Sequence, residues 1–354
     1  MLAKNYELHN VAEVVTYFDT DQKVLSRIPD SLRKRLNPLA QITAFNAAGT
    51  EIRFLLKSGK AKITCHVLNG EDVKKSGGGI IEILHGCFPE PEFRFVTGSK
   101  TEIIVEEPEK IEVMEEIAKR HHLSFQPRLI RVLLPYHCHI AIDAIEGDIE
   151  LAAAEDVPEV RMLAYGSSIT NGFSSVTTQS CYIMKTAARL GVDLFNLGFA
   201  GSAMLEAEMA DYIAARKDWD VLFLELGINV VWNVVTNQPG DPSSFEQKVD
   251  YFLKKVAGEN KDKYVICTDI YTGGGDYAGD NTLAEEFRAI VGNKVRELEL
   301  ANLVYLKGQE LLPTGEGIAG DTIHPGMMAM DTLAENLTHA LKTYVKKASG
   351  FNIG

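Results

Sequence analysis

The sequence predicts an α/β protein in which a doubly wound, flavodoxin-like parallel sheet of five strands follows a β-sandwich module. Two textures in the chain carry this prediction. From about residue 40 to residue 153, short apolar runs alternate with turn residues, which is typical of an antiparallel sandwich. After about residue 157, apolar strands alternate with amphipathic helices, which is typical of a parallel sheet buried on both faces. We therefore place the N-terminal module at residues 1–156 and the α/β domain at residues 157–354.

The N-terminal module is predicted as a series of short strands with two helical segments. The stretch ITAFNAAGTEIRFLLKSGKAKITCHVL contains strand-like runs that Ala-Gly-Thr and Ser-Gly-Lys turns separate. The series continues with GIIEILHG, FRFVTG, TEIIVEE, LIRVLLP, HIAIDAI and DIELAAA. A short helix, SLRKRL, ends at Asn37-Pro38. A second helix, EKIEVMEEIAKRHH, has Ile111, Met114 and Ile117 on one face.

The α/β domain is predicted from five apolar segments, each followed by a helical one. The strands are VRMLAY, VDLFNL, VLFLEL, YVICTDI and LVYLKG. The helices are predicted near residues 178–190, 203–216, 243–257, 282–301 and 326–347. Charged residues concentrate in the helices, as expected when both faces of the sheet are buried. Because ligands bind at the carboxyl ends of the strands in such sheets, a site is expected in the loops that follow them.

The composition argues against several classes of protein. The chain has 36 Lys and Arg against 49 Asp and Glu, a net charge of −13 that disfavours binding to nucleic acid or anionic lipid. No apolar run approaches the ~20 residues of a membrane span, and no secretion signal is evident, so a cytoplasmic location without membrane insertion is expected. The five cysteines lack CxxC spacing, which predicts reduced thiols. His137 and His139 would share one strand face, but no further metal ligand lies near them in sequence.

Two serines follow the first strand of the α/β domain, in Gly166-Ser167-Ser168. A serine in a strand-to-helix turn can be exposed at the sheet edge, with its N–H directed toward a bound group. The same serines are equally suited to form a turn and to cap the following helix. This segment alone does not separate a nucleophile from a capping residue.

Three more polar segments follow the second, third and fifth strands. The glycines around Gly201 permit a close approach of the backbone to an anion, although a tight turn explains them equally well. Asn229 can offer its side-chain amide to a developing oxyanion or serve as an ordinary turn residue. Asp321 and His324 are three residues apart, so the carboxylate can hold the Nδ1–H of the imidazole and leave Nε2 as a base. Each fragment alone has little specificity, but all four follow strands in one order.

The four segments together resemble the conserved blocks of the SGNH (GDSL-type) serine hydrolases. Ser168 matches the nucleophile of that family's Gly-Asp-Ser block, and Gly201 matches its glycine block. Asn229 matches the Gly-x-Asn block, and Asp321 and His324 match the last block. The resemblance implies that Ser168, His324 and Asp321 form a catalytic triad. It also implies an oxyanion hole made by the N–H groups of Ser168 and Gly201 and by the side-chain amide of Asn229.

The resemblance covers the chain from residue 160 to residue 350, with two departures outside the triad. Ser167 and Val230 stand where the family usually has Asp, which leaves the support of the nucleophile turn and the substrate preference open. The β-rich module ahead of this region is similar to the jelly-roll module of two-domain members of the superfamily. Several of those members deacylate carbohydrates or acylated glycosides.

The function that the resemblance implies is that of a serine esterase acting on small molecules through an acyl-enzyme. Short-chain acyl esters, above all acetyl esters, are the expected substrates, with acylated carbohydrates and glycosides among them. Neither a metal nor an organic cofactor is expected. Trp232 and Tyr277 lie in the long connections after the third and fourth strands and are candidates for stacking on a sugar ring, although such aromatics often only cover a core edge. The alternatives are a non-catalytic sugar or peptide receptor, a thioesterase and a lysophospholipase-type acylhydrolase, and the sequence does not define the oligomeric state.

Overall fold

The computed structural model describes residues 1–69, 78–234, 236–279 and 281–350 of the chain. The N-terminal part consists mainly of strands. These are β1 (Glu7–His9), β2 (Glu13–Thr16), β3 (Lys23–Ser26), β4 (Glu51–Val67), β5 (Gly79–His85), β6 (Phe88–Pro89), β7 (Arg94–Val96), β8 (Thr101–Glu106), β9 (Leu129–Leu133) and β10 (Ile140–Glu150). The helices of this part are α1 (Asp30–Arg33), α2 (Pro38–Thr43) and α3 (Ile111–His121).

An antiparallel sheet contains these strands except β2 and β3, which pair with each other, and this confirms the predicted β-rich module. The long strand β4 lies at its centre, paired with β1 and β9 at its start and with β8 and β10 further along. Beyond β9 the sheet continues through β5, which also pairs with β6 and β7. The strands enclose one apolar cluster that includes Phe54, Ile63, Ile83 and Val132. Full burial of each such side chain contributes about 1.5–3 kcal/mol to folding.

The predicted turn at Ser58-Gly59-Lys60 is wrong, because β4 runs through these residues without a break. Gly59 adopts a φ of 68° inside the strand, and the register against β10 shifts between Glu146 and Asp148. An irregularity of this kind bends a strand without ending it. The segments HIAIDAI and DIELAAA, predicted as two strands, likewise contribute to one strand, β10, which ends at Glu150.

The predicted strand run ITAF is also wrong, because Ile42 and Thr43 lie in α2. Asn37 caps this helix by accepting a hydrogen bond from the N–H of Ala40, and Pro38 occupies its first turn. These start signals outweigh the preference of the β-branched Ile42 and Thr43 for strands.

The two predicted helices of the N-terminal part are present. The segment SLRKRL contributes to α1, and EKIEVMEEIAKRHH contains α3. On the predicted face of α3, Ile111 is buried, Met114 is half-buried and Ile117 is exposed, so α3 packs mainly through its first turn and Ala118.

The second part of the chain is an α/β unit. Its strands are β11 (Arg161–Gly166), β12 (Asp193–Gly198), β13 (Val221–Glu225), β14 (Trp232–Asn233), β15 (Gln238–Pro239), β16 (Tyr264–Thr268) and β17 (Leu303–Leu306). Its helices are α4 (Ser168–Asn171), α5 (Tyr182–Leu190), α6 (Ala207–Ala215), α7 (Ile228–Val231), α8 (Pro242–Gly258), α9 (Thr282–Leu298), α10 (Gly308–Leu311) and α11 (Met327–Ala348). A parallel sheet has the order β12-β11-β13-β16-β17, which confirms the predicted flavodoxin-like doubly wound topology.

Apolar side chains bury both faces of the parallel sheet. Helices α6, α8 and α9 cover one face, and α5 and α11 cover the other. Side chains from Ile28 to Ala44, which precede the antiparallel sheet's central strand, belong to the first of these two cores. The division of the chain at residue 156 stays a prediction, whereas this early segment packs with the parallel sheet.

A buried ion-pair cluster joins the two sheets. Arg53 of β4 donates to both carboxylate oxygens of Asp193 at the start of β12, at 2.9 and 2.7 Å, and its Nε donates to Glu51 at 2.8 Å. Removing one partner of such a pair leaves an uncompensated buried charge, so the pair fixes the relative placement of β4 and β12.

The structure also bears on membrane insertion, disulfide bonds and metal binding. No helix in the described ranges is long and apolar enough to cross a bilayer. All five cysteines are unbridged, with Cys87 half-buried and the others buried. The same ranges contain no group of three or more His, Cys, Asp or Glu side chains that could hold a metal ion. His139 instead makes hydrogen bonds with Asn46 and Tyr17.

Candidate active site

Ser168 lies at the carboxyl end of β11, as the first residue of α4. Ser167 caps α4, since its Oγ accepts a hydrogen bond from the N–H of Ile169 at 3.1 Å. The helix ends after about one turn at Gly172, whose φ of 112° favours glycine. This tight turn leaves Ser168 at the sheet edge, 9% exposed, where a serine hydroxyl can meet a ligand.

Ser168, His324 and Asp321 form one hydrogen-bonded chain. The Oγ of Ser168 lies 2.7 Å from Nε2 of His324, and Nδ1 of His324 lies 2.7 Å from Oδ2 of Asp321. Because an ionised carboxylate can only accept, Nδ1 carries the ring proton and Nε2 accepts from the serine hydroxyl. An arrangement of this kind can convert a hydroxyl into a nucleophile.

The turn that carries Asp321 fixes its carboxylate. Burial raises the pKa of Asp321, but hydrogen bonds from the N–H groups of His324 and Ile323 outweigh this effect, and the net pKa lies below the ordinary value. Thr322 adopts a φ of 64°, which is strained for a β-branched residue. Its carbonyl accepts a hydrogen bond from the N–H of Gly274 at 2.6 Å, which supports the strained turn. Because its pKa lies below the ordinary value, Asp321 is ionised at neutral pH.

Ser168, Gly201 and Asn229 bring N–H donors to one cavity. Gly201, with a φ of 66°, and Asn229 line the same cavity as Ser168. The Oδ1 of Asn229 accepts a hydrogen bond from the N–H of Ala203 at 3.1 Å, which leaves Nδ2 available to a ligand. Within the described residues, the backbone N–H groups of Ser168 and Gly201 donate to no acceptor. Three such donors are suited to an oxygen that becomes negatively charged.

The segment around α1 and α2 supports the loop that carries Gly201. The Nδ2 of Asn37 donates to the carbonyl of Ser202 at 3.0 Å, and the hydroxyl of Thr43 lies 2.8 Å from that of Ser202. Arg27, which is buried, donates to the carbonyl of Thr43 at 2.7 Å. The N-terminal part thus shapes this side of the site. This role is not predicted from the sequence, in which Asn37-Pro38 indicates only the end of a short helix.

Glu225, the last residue of β13, is another residue that the sequence analysis missed. Its Oε2 accepts hydrogen bonds from the N–H of Ser167 at 2.9 Å and the hydroxyl of Thr170 at 2.7 Å. Its Oε1 accepts from the hydroxyl of Ser167 at 2.6 Å. Burial raises the pKa of Glu225, and these hydrogen bonds oppose the rise. An Asp at position 167 would face this carboxylate and be repelled, so Ser167 and Glu225 fit each other. The available signal was a single carboxylate in the otherwise apolar strand VLFLEL.

Replacing Glu225 by glutamine is expected to lower the free energy of unfolding by about 1–3 kcal/mol, because the amide NH₂ cannot accept from Ser167 or Thr170. The pKa of Glu225 is higher in the folded protein than in the unfolded chain. Its contribution to the free energy of unfolding is therefore fully present below the unfolded pKa and is lost as pH rises through the folded pKa. The difference in the free energy of unfolding between wild type and Glu225→Gln should therefore become smaller as pH rises. Urea unfolding at several pH values measures it, with Glu246→Gln on the exposed face of α8 as the control. A difference that grows with pH would contradict this account.

The cavity around Ser168 has a volume of about 290 Å³. Trp232, one of the predicted substrate-binding residues, lines it and is 48% exposed. Tyr277 is not among the described residues that line it, and its hydroxyl accepts a hydrogen bond from the N–H of Gly315 at 2.8 Å. Val230 is buried in the core on one face of the parallel sheet. The described residues that line it are Ser168, Phe173, Ala200, Gly201, Ile228, Asn229, Val231, Trp232, Val234, Ile323 and His324.

Solved structures share this architecture over most of the chain. A salicylyl-acyltransferase, SsfX3, from a tetracycline biosynthetic pathway is 15% identical, with a TM-score of 0.74 over 94% of this chain and 93% of that one. A protein described as a GDSL-like lipase from Bacteroides ovatus is 17% identical, with a TM-score of 0.65 over 97% and 98%. A family two carbohydrate esterase from Clostridium thermocellum is 15% identical, with a TM-score of 0.60 over 86% and 94%. The chain has the SGNH hydrolase fold.

The shared fold includes both parts of the chain, because each of the three alignments covers at least 86% of the chain. At 15–17% identity the likeness concerns the fold. No protein-family model matches the chain, and no curated protein matches it. A function is therefore supported by the geometry around Ser168 and not by the fold alone.

Proposed function

We propose that the protein is a serine esterase that cleaves short-chain acyl esters, with acetyl esters of carbohydrates and glycosides among its substrates. The observation that carries the proposal is the chain Ser168–His324–Asp321, with 2.7 Å at both links, beside three N–H donors in one cavity. A non-catalytic receptor on the same fold would not need Ser168, His324 and Asp321 to be hydrogen-bonded in one chain. This arrangement therefore disfavours the receptor alternative.

Catalysis would proceed in two steps through an acyl-enzyme. In the first, Nε2 of His324 takes the proton of the Ser168 hydroxyl while Oγ bonds to the acyl carbon. The tetrahedral intermediate expels the alcohol, which leaves with the proton that His324 returns. In the second step, His324 deprotonates water, which attacks the acyl carbon and releases the acid and free Ser168. Asp321 stabilises the imidazolium that forms in both steps.

The negative oxygen of the intermediate would be bound by the N–H groups of Ser168 and Gly201 and by Nδ2 of Asn229. Asn229→Ala is therefore expected to lower kcat about 10²–10³-fold and to leave KM within a few-fold. The reason is that this donor acts mainly in the transition state. Steady-state kinetics measures the split between kcat and KM.

Asn336→Ala is the matched control for this change. The amide of Asn336 donates to the carbonyl of Leu311 at 2.9 Å, away from the cavity, so its loss should lower the melting temperature and leave kcat nearly intact. If Asn229→Ala behaved in the same way, Asn229 would be a structural turn residue and not an oxyanion donor.

Acyl transfer to an organic alcohol is a second candidate function. The acyl-enzyme would be the same, but an alcohol would replace water in the second step. The observation that favours it is the mainly apolar wall of the cavity, with Phe173, Ile228, Trp232 and Ile323, which suits an organic acceptor better than water. The acyltransferase among the similar structures has the same overall architecture.

A panel of p-nitrophenyl esters from acetate to decanoate tests the proposal. We expect Ser168-dependent hydrolysis with the largest kcat/KM for acetyl to butyryl esters. A maximum at eight or more carbons would rule out the short-chain proposal, and well-folded protein that is inactive on the whole panel would favour the receptor. Adding methanol or benzyl alcohol and measuring the new ester against free acid separates acyl transfer from hydrolysis.

A further inference from the structure

We propose that a second chamber beside the catalytic cavity binds an uncharged apolar group of the ester substrate. The chamber has a volume of about 400 Å³, within the usual range of small-molecule sites. It shares four lining residues with the catalytic cavity, namely Ile228, Val231, Trp232 and Ile323. A group that enters the chamber therefore lies next to a carbonyl held at Ser168. This inference rests on the proposed esterase function.

Beyond the shared residues, part of the chamber wall is apolar. The side chains of Ile270, Leu283 and Ala284 line it, together with the backbone from Gly273 to Gly275. Leu283 and Ala284 lie in the first turn of α9 and are only partly buried by the protein core. Ala284 leaves open space that a larger residue at this position would fill.

Among the described residues, the charged groups that line the chamber are Arg288 and Asp276, and they pair with each other. Arg288 uses all five of its N–H donors inside the protein. It donates to Asp276 at 2.7 and 2.9 Å, to Glu285 at 2.6 Å, and to the carbonyls of Ile270 and Tyr271 at 3.0 Å each. Asp276 also accepts from the N–H of Gly273 at 2.9 Å and from the side chain of Asn281.

Neither Arg288 nor Asp276 is therefore available to pair with a charged ligand. A carboxylate, a phosphate or a polyhydroxylated sugar ring would lose its hydration in this chamber without gaining matching partners from the charged residues described there. An aromatic ring or a branched hydrocarbon loses little on entering and gains contact with the apolar walls. The chemistry of the chamber thus selects a neutral apolar group, for which a benzyl group serves as the probe.

Either substituent of the ester carbonyl could supply this group, and the experiment separates the two sources. Benzyl acetate carries it on the alcohol, methyl phenylacetate carries it on the acyl side, and methyl acetate lacks it. Because the proposed acyl group is short, we expect the alcohol side of the ester to occupy the chamber.

Ala284→Phe, which fills the chamber, is the test variant, and Ala289→Phe on the exposed face of the same helix is the matched control. Ala284→Phe should lower kcat/KM for benzyl acetate at least about tenfold more than for methyl acetate. Ala289→Phe should change neither value. A selective loss on methyl phenylacetate instead would support the chamber and assign it to the acyl group. Equal losses on all three esters, or no loss, would overturn the inference.

Calorimetric binding of benzyl alcohol to the wild-type protein provides a readout that needs no turnover. We expect benzyl alcohol to bind and glucose not to bind, with the benzyl alcohol affinity reduced in a folded Ala284→Phe. Binding of glucose but not of benzyl alcohol would overturn the inference. Failure of the esterase proposal is distinguishable, because it would appear as no hydrolysis even of methyl acetate, which makes no demand on the chamber.

Discussion

Ser168→Ala is expected to abolish nearly all ester hydrolysis while the protein keeps its fold. The hydroxyl is the group that would form the acyl-enzyme, and it makes a 2.7 Å hydrogen bond with Nε2 of His324. Loss of the nucleophile in another Ser–His–Asp enzyme lowers kcat about 10⁶-fold. Because Ser168 is small and lies at the edge of a cavity, its Oγ contributes little to packing. Initial rates on p-nitrophenyl acetate, with a thermal melt on the same sample, measure both effects.

Ser167→Ala is the neighbouring control. This change removes the cap of α4 and the hydrogen bond to Glu225, so it should lower stability by about 0.5–2 kcal/mol. Most of the activity should remain, because the hydroxyl of Ser167 points to Glu225 and not to His324. An essential Ser167 beside a dispensable Ser168 would show that the wrong serine has been assigned as the nucleophile.

Asp321→Asn is expected to lower kcat about 10⁴-fold, the loss known for the corresponding change in a triad of this kind. The Oδ1 of Asp321 accepts from the N–H groups of Ile323 and His324, which keeps the side-chain oxygen of the replacement on that side. The new NH₂ would then face Nδ1 of His324 as a donor. The ring would have to carry its proton on Nε2, where it can no longer accept from Ser168.

The control for this change is Asp331→Asn, which removes an exposed carboxylate paired with Lys185 on α5. It should leave kcat unchanged. We would measure kcat of both variants across the pH range in which histidine side chains titrate. The shape of the profile separates loss of the catalytic base from a shift in the pH dependence of kcat. Near-full activity of Asp321→Asn would mean that another group orients His324.

The sequence predicts correctly those elements whose burial produces a simple pattern of apolar residues. The strands of the parallel sheet are buried on both faces, so each appears as an uninterrupted apolar run such as VLFLEL. Their order and carboxyl ends then locate Ser168, Asn229 and His324, because the topology of a doubly wound sheet places such loops at one edge.

The features that the sequence did not predict depend on contacts distant in the chain. Gly59 suggests a turn, but pairing of β4 with β8 and β10 on both sides keeps the strand continuous. The role of Glu225 depends on Ser167 and Thr170, which lie more than fifty residues earlier. The support of Gly201 by Asn37 and Thr43 spans a still larger separation. Local patterns do not reveal such pairs.

Covalent trapping tests the central claim, that Ser168 is an activated nucleophile, most directly. A p-nitrophenyl alkylphosphonate reacts with an activated serine to give an adduct that His324 does not hydrolyse, with release of one p-nitrophenolate per active site. We predict one adduct per chain, located by peptide mass spectrometry on Ser168, and none in Ser168→Ala. An adduct on any other residue, or ester hydrolysis by a protein that the reagent leaves unlabelled, would contradict the account.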